Sequence, residues 1–208
     1  IYPFPGESHA NFPLAVDLLY IPAIMLGLES ASKLIHLGFG VLMGLGTFAL
    51  AQRLLGSRRG SWLAVFILGT TPILGTVGGY AHNDLGWALF EFLAAYALLR
   101  WREDEGRSWL ILSGIFAGLG LGSKYLGLPM LGVLGLMVLV EDGLLARRSW
   151  RRMLGDGLLF GMVAVVVAVP WYLKNWLWLG NPFYPLWFGG RGWDAYQLNQ
   201  LQSMGTRY

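Results

Sequence analysis

Three short stretches of this 208-residue chain combine polar residue types that could do chemistry in an otherwise apolar sequence. They are His-Asn-Asp at 82–84, Lys-Tyr at 124–125 and Lys-Asn at 174–175. The carboxylate of Asp84 could bind a divalent cation or a hydroxyl group of an acceptor molecule, and His82 could assist it as a metal ligand. No single spacing among these residues specifies a reaction, so their positions in the fold decide whether they form a site.

Each of these residues also has a purely structural interpretation. Asp84 precedes an apolar run, where an aspartate caps a helix by accepting hydrogen bonds from free backbone N–H groups. Lys124 interrupts a stretch that is otherwise uncharged from Trp109 to Val140, and a charge there is costly unless it reaches water or a partner. It is therefore either functional or a lysine whose long side chain reaches the membrane surface. Lys174 has the same two interpretations.

The composition favours a membrane protein over a soluble one. Hydrophobic residues make up 55% of the chain and charged residues only 13%, whereas a soluble domain has about 25% charged residues. The net charge of +3 does not indicate nucleic-acid binding, because the cations lie in short loops between apolar runs. The chain has no cysteine, no phosphate-binding glycine loop and no hydrolase motif, so soluble nucleotide chemistry has no support.

The apolar runs predict an all-α fold, a polytopic transmembrane helical bundle of about six spans plus interfacial helices. We expect the six-helix membrane bundle within 31–169, with spans near 31–55, 61–79, 84–101, 108–123, 127–145 and 152–169. Residues 13–28 are too short and too broken for a span and predict an interfacial helix, with Asp17 on its solvated face. Because Pro170 should end or kink the last helix, 170–190 is predicted to be an interfacial aromatic segment. We expect outer loops at 1–12 and, truncated, at 191–208.

Basic residues predict the orientation of these helices. Three loops are rich in arginine and should lie in the cytoplasm; they carry Arg53, Arg58, Arg59, Arg100, Arg102, Arg107, Arg147, Arg148, Arg151 and Arg152. The opposite, outer face then gathers acids, lysines and aromatic residues from separate helix ends. These are Glu7, His9, Asp17, Tyr80, His82, Asn83, Asp84, Lys124, Tyr125, Lys174 and Asn175.

Several stretches, in chain order, resemble motifs of bacterial membrane glycosyltransferases of the GT-C superfamily, relatives of the protein O-mannosyltransferases and of the aminoarabinose transferase that modifies lipid A. They are NFPL at 11–14 with DLLY at 17–20, ASKLIH at 31–36, YAHNDL at 80–85, GLGSKYLG at 120–127, and PWYLKN at 170–175 with GNPFYP at 180–185. The last pair is the closest match, and together the stretches cover most of the chain.

The resemblance implies inverting transfer of a sugar from a polyprenyl-phosphate carrier to a glycan, lipid or protein acceptor on the outer side of the membrane. Asp84 matches the acid of the family's second outer loop, and Lys124 would face the donor phosphate. Further substrate-binding residues would be Tyr80, His82, Tyr125, Lys174 and Asn175. The family's general base is an aspartate in the first outer loop, which we expect upstream of Ile1. A divalent metal ion held by Asp84 and His82 stays an open alternative.

Two other classes of protein stay open. A transporter or a non-catalytic lipid- or sugar-binding membrane protein could have a similar outer pocket. Transporters tend to have internal repeats and broken helices at mid-membrane, whereas this chain has no repeat and gathers its polar residues at one face. A catalytically empty relative that scaffolds cell-wall assembly would lack the acids expected upstream.

Overall fold

Every regular element that the structure describes is a helix. This computed structural model describes residues 11–104, 106–145, 149–184 and 186. Residues 1–10 of the outer loop predicted for 1–12, with Glu7 and His9, and the outer loop predicted for 191–208 lie outside these ranges. Within them, the all-α prediction is confirmed.

Eight α-helices follow one another in the part of the chain that the structure describes. They are α1 Ile21–Met25, α2 Glu29–Leu55, α3 Arg58–Gly69, α4 Pro72–Gly78, α5 Asp84–Asp104, α6 Arg107–Leu121, α7 Gly127–Val140 and α8 Trp150–Leu179. A 3₁₀ helix at Asp17–Tyr20 precedes α1, and a π-helix at Glu141–Leu145 follows α7. Two of the longest helices, α2 and α8, end at glycines with positive φ, Gly56 at 60° and Gly180 at 74°, a conformation that glycine adopts without strain.

Two helices of the described ranges are each long and apolar enough to cross a membrane. They comprise residues Ser30–Leu55 and Trp150–Leu179. Helices α3 and α4 are bent by 61° at their junction and would make a third span if they act as one. Helices α5, α6 and α7 occupy the positions predicted for further spans, but six spans as such stay a prediction.

Two predicted boundaries are wrong. Residues 13–28 do not form one helix, because the 3₁₀ helix and the five-residue α1 replace it. Helix α8 does not end at Pro170 but continues to Leu179. A proline removes one backbone hydrogen bond, and packing of the last turns outweighs that loss: Asn175 and Leu179 are 1% and 2% exposed. Whether residues 170–179 lie along the membrane surface stays a prediction.

Helix α6 is the centre of the bundle, packed between α5 and α8. Its contact with α8 is close because glycines face it. A Cβ atom added to Gly118 would lie 2.5 Å from the backbone oxygen of Ala164, and one added to Gly114 would lie 2.9 Å from that of Phe160. Small residues of this kind let helix backbones approach each other in membranes.

A second apolar cluster attaches the N-terminal segment to the bundle. Val16 and Tyr20 pack there against Phe39 of α2 and against Leu85 and Leu89 of α5. This packing holds the 3₁₀ helix beside the first turn of α5. The polar side chains of that 3₁₀ helix are therefore placed next to the 82–84 stretch.

Ion pairs occupy the end of the bundle where α5 ends and where α6 and α8 begin. Arg53 pairs with Glu103, Arg100 with Asp104 at 2.5 Å, Arg102 with Glu141 at 3.1 Å, and Arg107 with Asp156 at 3.5 Å. Asp84 at the start of α5 and Lys124 just after α6 therefore lie at the opposite end. The arginine-rich loops and the candidate site residues are separated along the helix axes.

Candidate functional site

A cleft opens at the end of the bundle away from the arginines. It has a volume of about 990 Å³ and lies where the N-terminal segment, the start of α5 and the α6–α7 turn meet. Its lining residues are Phe12, Leu14, Asp17, Ala81, His82, Asn83, Asp84, Ser123, Lys124, Tyr125, Leu126, Leu128, Pro129, Phe183 and Leu186. Of the predicted site residues, Asp84, Lys124, His82 and Tyr125 thus line one cavity.

Asp84 and Lys124 form an ion pair across this cleft. The Lys124 ammonium lies 2.5 Å from Asp84 Oδ1 and 5.8 Å from the centre of the Trp87 ring. The two side chains keep 32% (Lys124) and 39% (Asp84) of their surface exposed. Because Asp84 stands in the first turn of α5, its charge also suits the positive end of that helix. Capping is therefore not its whole role in the structure.

The turn between α6 and α7 presents Lys124 to the cleft. The carbonyl oxygen of Gly120 accepts hydrogen bonds from the backbone N–H groups of Ser123 at 3.0 Å and Lys124 at 3.1 Å. The N–H of Ala15 donates to the carbonyl of Gly122 at 2.9 Å, and the Asn83 amide donates to the carbonyl of Ser123 at 3.3 Å. Two distant segments of the chain therefore hold the turn that carries Lys124.

Tyr20 holds the loop before α5 from the other side. Its hydroxyl donates to the carbonyl of His82 at 2.6 Å and lies 2.9 Å from His36 Nδ1. Because a hydroxyl has one proton, we assign Nδ1 of the fully buried His36 as the N–H donor to Tyr20. His36 and Tyr20 thus form a buried chain of hydrogen bonds that ends on the wall of the cleft.

Asp17 is a cleft residue to which the sequence analysis assigned the correct face but only a solvated position. The solvated position predicted for it is wrong: it lines the cleft, and its Oδ2 atom is buried without a hydrogen-bond partner in the described part of the chain. Burial raises the pKa of this carboxyl, although its own backbone N–H and the Asn83 amide act against that shift. His82 and Asp84 lie close enough to affect it electrostatically. Its place in the DLLY motif was the available signal.

Asn175 does not line the cleft, contrary to the sequence interpretation, but supports its wall. The side chain is 1% exposed, and its amide donates to the Asn11 carbonyl at 2.8 Å and to the Tyr125 hydroxyl at 3.2 Å. Tyr125 in turn donates to the carbonyl of Tyr184 at 2.9 Å. Asn175 therefore connects the last turns of α8 to the segment at Asn11, behind the cleft-lining Tyr125.

Lys174 and Tyr80, also predicted to bind substrate, lie outside the cleft lining. The Lys174 ammonium is buried 5.9 Å from the centre of the Trp171 ring and has no hydrogen-bond partner in the described residues. Tyr80 is 59% exposed, and its ring lies 5.9 Å from that of His82. Neither residue is brought to the Asp84–Lys124 pair.

The described side chains do not assemble a metal site. No group of three or more His, Cys, Asp or Glu residues among them is placed to hold a metal ion. Asp84 Oδ1 is bonded to Lys124 instead. The pairing of His82 with Asp84 as metal ligands therefore stays a sequence prediction.

Comparison with known proteins agrees with the motifs that surround this cleft. Residues 20–176 match the model of the family described as "Dolichyl-phosphate-mannose-protein mannosyltransferase". The chain is 28% identical over 126 residues to an undecaprenyl phosphate-alpha-4-amino-4-deoxy-L-arabinose arabinosyl transferase of Pseudomonas aeruginosa (strain UCBPP-PA14), covering 61% of this chain and 23% of that protein. It is 30% identical over 142 residues to the protein of the same description in Edwardsiella ictaluri (strain 93-146), covering 64% and 24% respectively.

The matched region is thus about a quarter of the length of these relatives. No solved structure matches the chain. The family match nevertheless covers most of the chain, including Asp84, Lys124 and the loops that hold them. The chain therefore belongs to the dolichyl-phosphate-mannose-protein mannosyltransferase family, one of the GT-C glycosyltransferase families.

Proposed function

We propose that this chain forms part of an integral-membrane glycosyltransferase that moves a sugar from a polyprenyl-phosphate carrier to an acceptor on the non-cytoplasmic face. The observation that carries the proposal is the Asp84–Lys124 pair in a cleft, within the residues that match the family. The relatives are described as transferases of an undecaprenyl phosphate-linked sugar, which supports the class of donor. The acceptor is a glycan, a lipid or a protein.

Lys124 is the residue proposed to meet the donor phosphate. In the transfer, the acceptor oxygen forms a bond to the anomeric carbon while the bond from that carbon to the phosphate oxygen breaks. The electron pair of the broken bond leaves with the polyprenyl phosphate, and a base takes the acceptor proton. An ammonium group held at the phosphate stabilises the charge that grows there. Lys124 has three N–H donors, so bonding to Asp84 leaves others for the phosphate.

Asp84 is proposed to orient Lys124 and to face the acceptor side of the cleft. Its position at the start of α5 keeps the carboxylate at the mouth, with 39% of the side chain exposed. His82 and Tyr125 line the same cavity and are proposed substrate contacts. Lys174 and Tyr80, which lie outside the lining, are proposed to contact only the parts of the lipid carrier beyond the cleft.

The distribution of charged residues along the helices supports the proposal that the cleft opens on the non-cytoplasmic face of the membrane. The arginines paired with acids lie at one end of the helices, and the cleft lies at the other. Arginine-rich ends are typically cytoplasmic, so the cleft would open to the outside. There a lipid-linked sugar can enter from the membrane while the acceptor approaches from water.

The test is sugar transfer by the full-length protein in proteoliposomes supplied with radiolabelled polyprenyl-phosphate sugars. We expect labelled sugar to appear on an acceptor, with release of one polyprenyl phosphate for each sugar moved. A transporter would instead carry the intact lipid-linked sugar across the bilayer without breaking the sugar–phosphate bond. Intact donor recovered after its movement, with no free polyprenyl phosphate, would contradict the proposed function.

A further inference from the structure

Asp17 is the charged cleft residue to which the proposed mechanism gives no task. The charged side chains that line the cleft are Asp17, Asp84 and Lys124. Lys124 is paired with Asp84 at 2.5 Å, and no cation lies within ion-pair distance of Asp17 in the described residues. The pair neutralises itself, so Asp17 has no lysine or arginine as a countercharge among the residues that the structure describes, although His82 lies close enough to affect it electrostatically.

The carboxyl of Asp17 is partly buried in the cleft wall, and one of its two oxygens lacks a hydrogen-bond donor among the described residues. Phe12, Leu14 and Leu186 line the same cavity, and Oδ2 of Asp17 is buried without a partner. Burial raises the pKa of this carboxyl despite the Asn83 amide beside it. A desolvated carboxylate gains more from a ligand that donates a hydrogen bond than a solvated one does.

Asp17 is also held in a fixed position relative to the Asp84–Lys124 pair. It begins the 3₁₀ helix whose last residue, Tyr20, is bonded to the carbonyl of His82 at 2.6 Å. Asn83, which contacts Asp17, donates to the carbonyl of Ser123 next to Lys124 at 3.3 Å. An apolar pocket with a few fixed polar groups typically uses them to orient its ligand.

We infer that Asp17 determines sugar specificity, by accepting a hydrogen bond from a hydroxyl or ammonium group on the sugar whose phosphate meets Lys124. The inference rests on the proposed function, since it places the sugar of the donor between Asp17 and Lys124. Asp17 takes no part in bond breaking, because its task is to bind the part of the sugar away from the phosphate. Hydroxyl and ammonium groups share the chemistry that a carboxylate recognises, and a matched pair of donors separates them.

The experiment uses the full-length protein and two donors that differ at one ring position. These are undecaprenyl phosphate-4-amino-4-deoxy-L-arabinose and undecaprenyl phosphate-L-arabinose, with sugar-free undecaprenyl phosphate as an inhibitor. We expect Asp17→Asn to lower kcat/KM for the transferred donor about 10- to 100-fold, the effect of losing a hydrogen bond to a charged group. A larger loss for the amino sugar identifies an ammonium contact, whereas equal losses identify a hydroxyl.

The inhibitor separates sugar recognition from damage to the cleft. Undecaprenyl phosphate has no sugar for Asp17 to contact. Its inhibition constant in Asp17→Asn should therefore stay within about twofold of wild type, well below the tenfold change that about 1.4 kcal/mol of lost binding energy would cause. Asp104→Asn, which removes an acid at the opposite end of α5, is the matched control and should leave kcat/KM unchanged. If Asp17→Asn does not accumulate as folded protein, Asp17→Glu is measured, and its displaced carboxylate should raise KM for the donor.

The inference alone would be overturned by wild-type kcat/KM for both donors in Asp17→Asn, or by an inhibition constant that rises in step with the loss of transfer. An unchanged KM in Asp17→Glu would do the same. A wild-type protein that transfers neither these sugars nor any other polyprenyl-phosphate sugar would overturn the proposed function, and the inference with it.

Discussion

The Asp84–Lys124 pair makes a quantitative prediction, because its two members are proposed to act as a unit. If Asp84 serves mainly to orient Lys124, removing its charge should matter only while Lys124 is present. A double-mutant cycle with Asp84→Asn and Lys124→Met tests this dependence. Both substitutions keep the approximate size of the side chain and remove its charge.

The size of each effect follows from the geometry. At the observed 2.5 Å, Coulomb attraction is about 1.7 kcal/mol in water and about 6.6 kcal/mol at an effective dielectric constant of 20. Since about a third of each side chain is exposed, solvent screening and lost side-chain entropy leave about 1 kcal/mol. Asp84→Asn should therefore lower kcat/KM about fivefold through Lys124. Lys124→Met removes a charge aimed at the leaving group and should cost about 10²- to 10³-fold.

The assay is single-turnover and steady-state transfer by the full-length protein in proteoliposomes, with Lys33→Met as control. Lys33 is an exposed lysine of α2 that makes no contact with the pair, and its loss should leave kcat/KM near wild type. We expect the double variant to match Lys124→Met within about twofold, well below the fivefold step that the 1 kcal/mol pair predicts. A double variant whose loss equals the product of the single losses would refute the orienting role. A loss of about 10²- to 10⁴-fold in Asp84→Asn alone would instead indicate that Asp84 acts directly as a base.

Three further predictions concern the residues that support the cleft. Tyr20→Phe removes the hydrogen bond that holds the His82 carbonyl at 2.6 Å. This variant should raise the KM for the donor several-fold and lower the free energy of unfolding by about 1 kcal/mol. An unchanged KM in transfer assays would contradict this prediction. Asn175→Leu removes the side-chain amide that donates to the buried Asn11 carbonyl and should lower the free energy of unfolding by about 1–3 kcal/mol, measured by thermal unfolding in detergent. A melting temperature equal to wild type would refute this. Gly118→Ala places a Cβ atom 2.5 Å from a backbone oxygen of α8 and should lower the free energy of unfolding by about 1–3 kcal/mol. The control Gly132→Ala, whose added Cβ has nothing within 4 Å, should be neutral or stabilising. Equal melting temperatures for the two alanine variants would show that α6 and α8 can separate.

Much of the fold was predictable because its signal is local. Apolar runs and their interruptions predict where helices lie, and the structure places α2, α5, α6 and α7 close to the predicted ranges. The sequence did not predict that 13–28 contains a 3₁₀ helix followed by the short α1, nor that α8 continues past Pro170, because both features depend on packing between distant segments. Val16 and Tyr20 are buried against α2 and α5, and burial of Asn175 and Leu179 holds the end of α8. Neither contact is visible in the periodicity of the segment itself.

The site was predictable to the extent that residue type and helix ends decide it. Asp84 and Lys124 were expected on one face, and the structure brings them together although 40 residues separate them. Asp17 was expected on the same face but on the solvated side of a single helix, whereas the structure places it in a 3₁₀ helix that lines the cleft. The sequence could not assign the role of Asn175, because the same side-chain amide can bind either a substrate or a backbone carbonyl. Only its 1% exposure assigns it to the support of Tyr125.

The hydrogen bond from Asn175 to the Asn11 carbonyl spans 164 residues and has a consequence for biosynthesis. A ribosome adds about 5–20 residues each second, so roughly 8–33 s pass between the synthesis of Asn11 and the synthesis of Asn175. During that interval the hydrogen bonds from Asn175 to Asn11 and to Tyr125 cannot form, whereas the Asp84–Lys124 pair already can. The wall behind Tyr125 is therefore completed only once the last turns of α8 have been synthesised, after the earlier helices that carry Asp84 and Lys124.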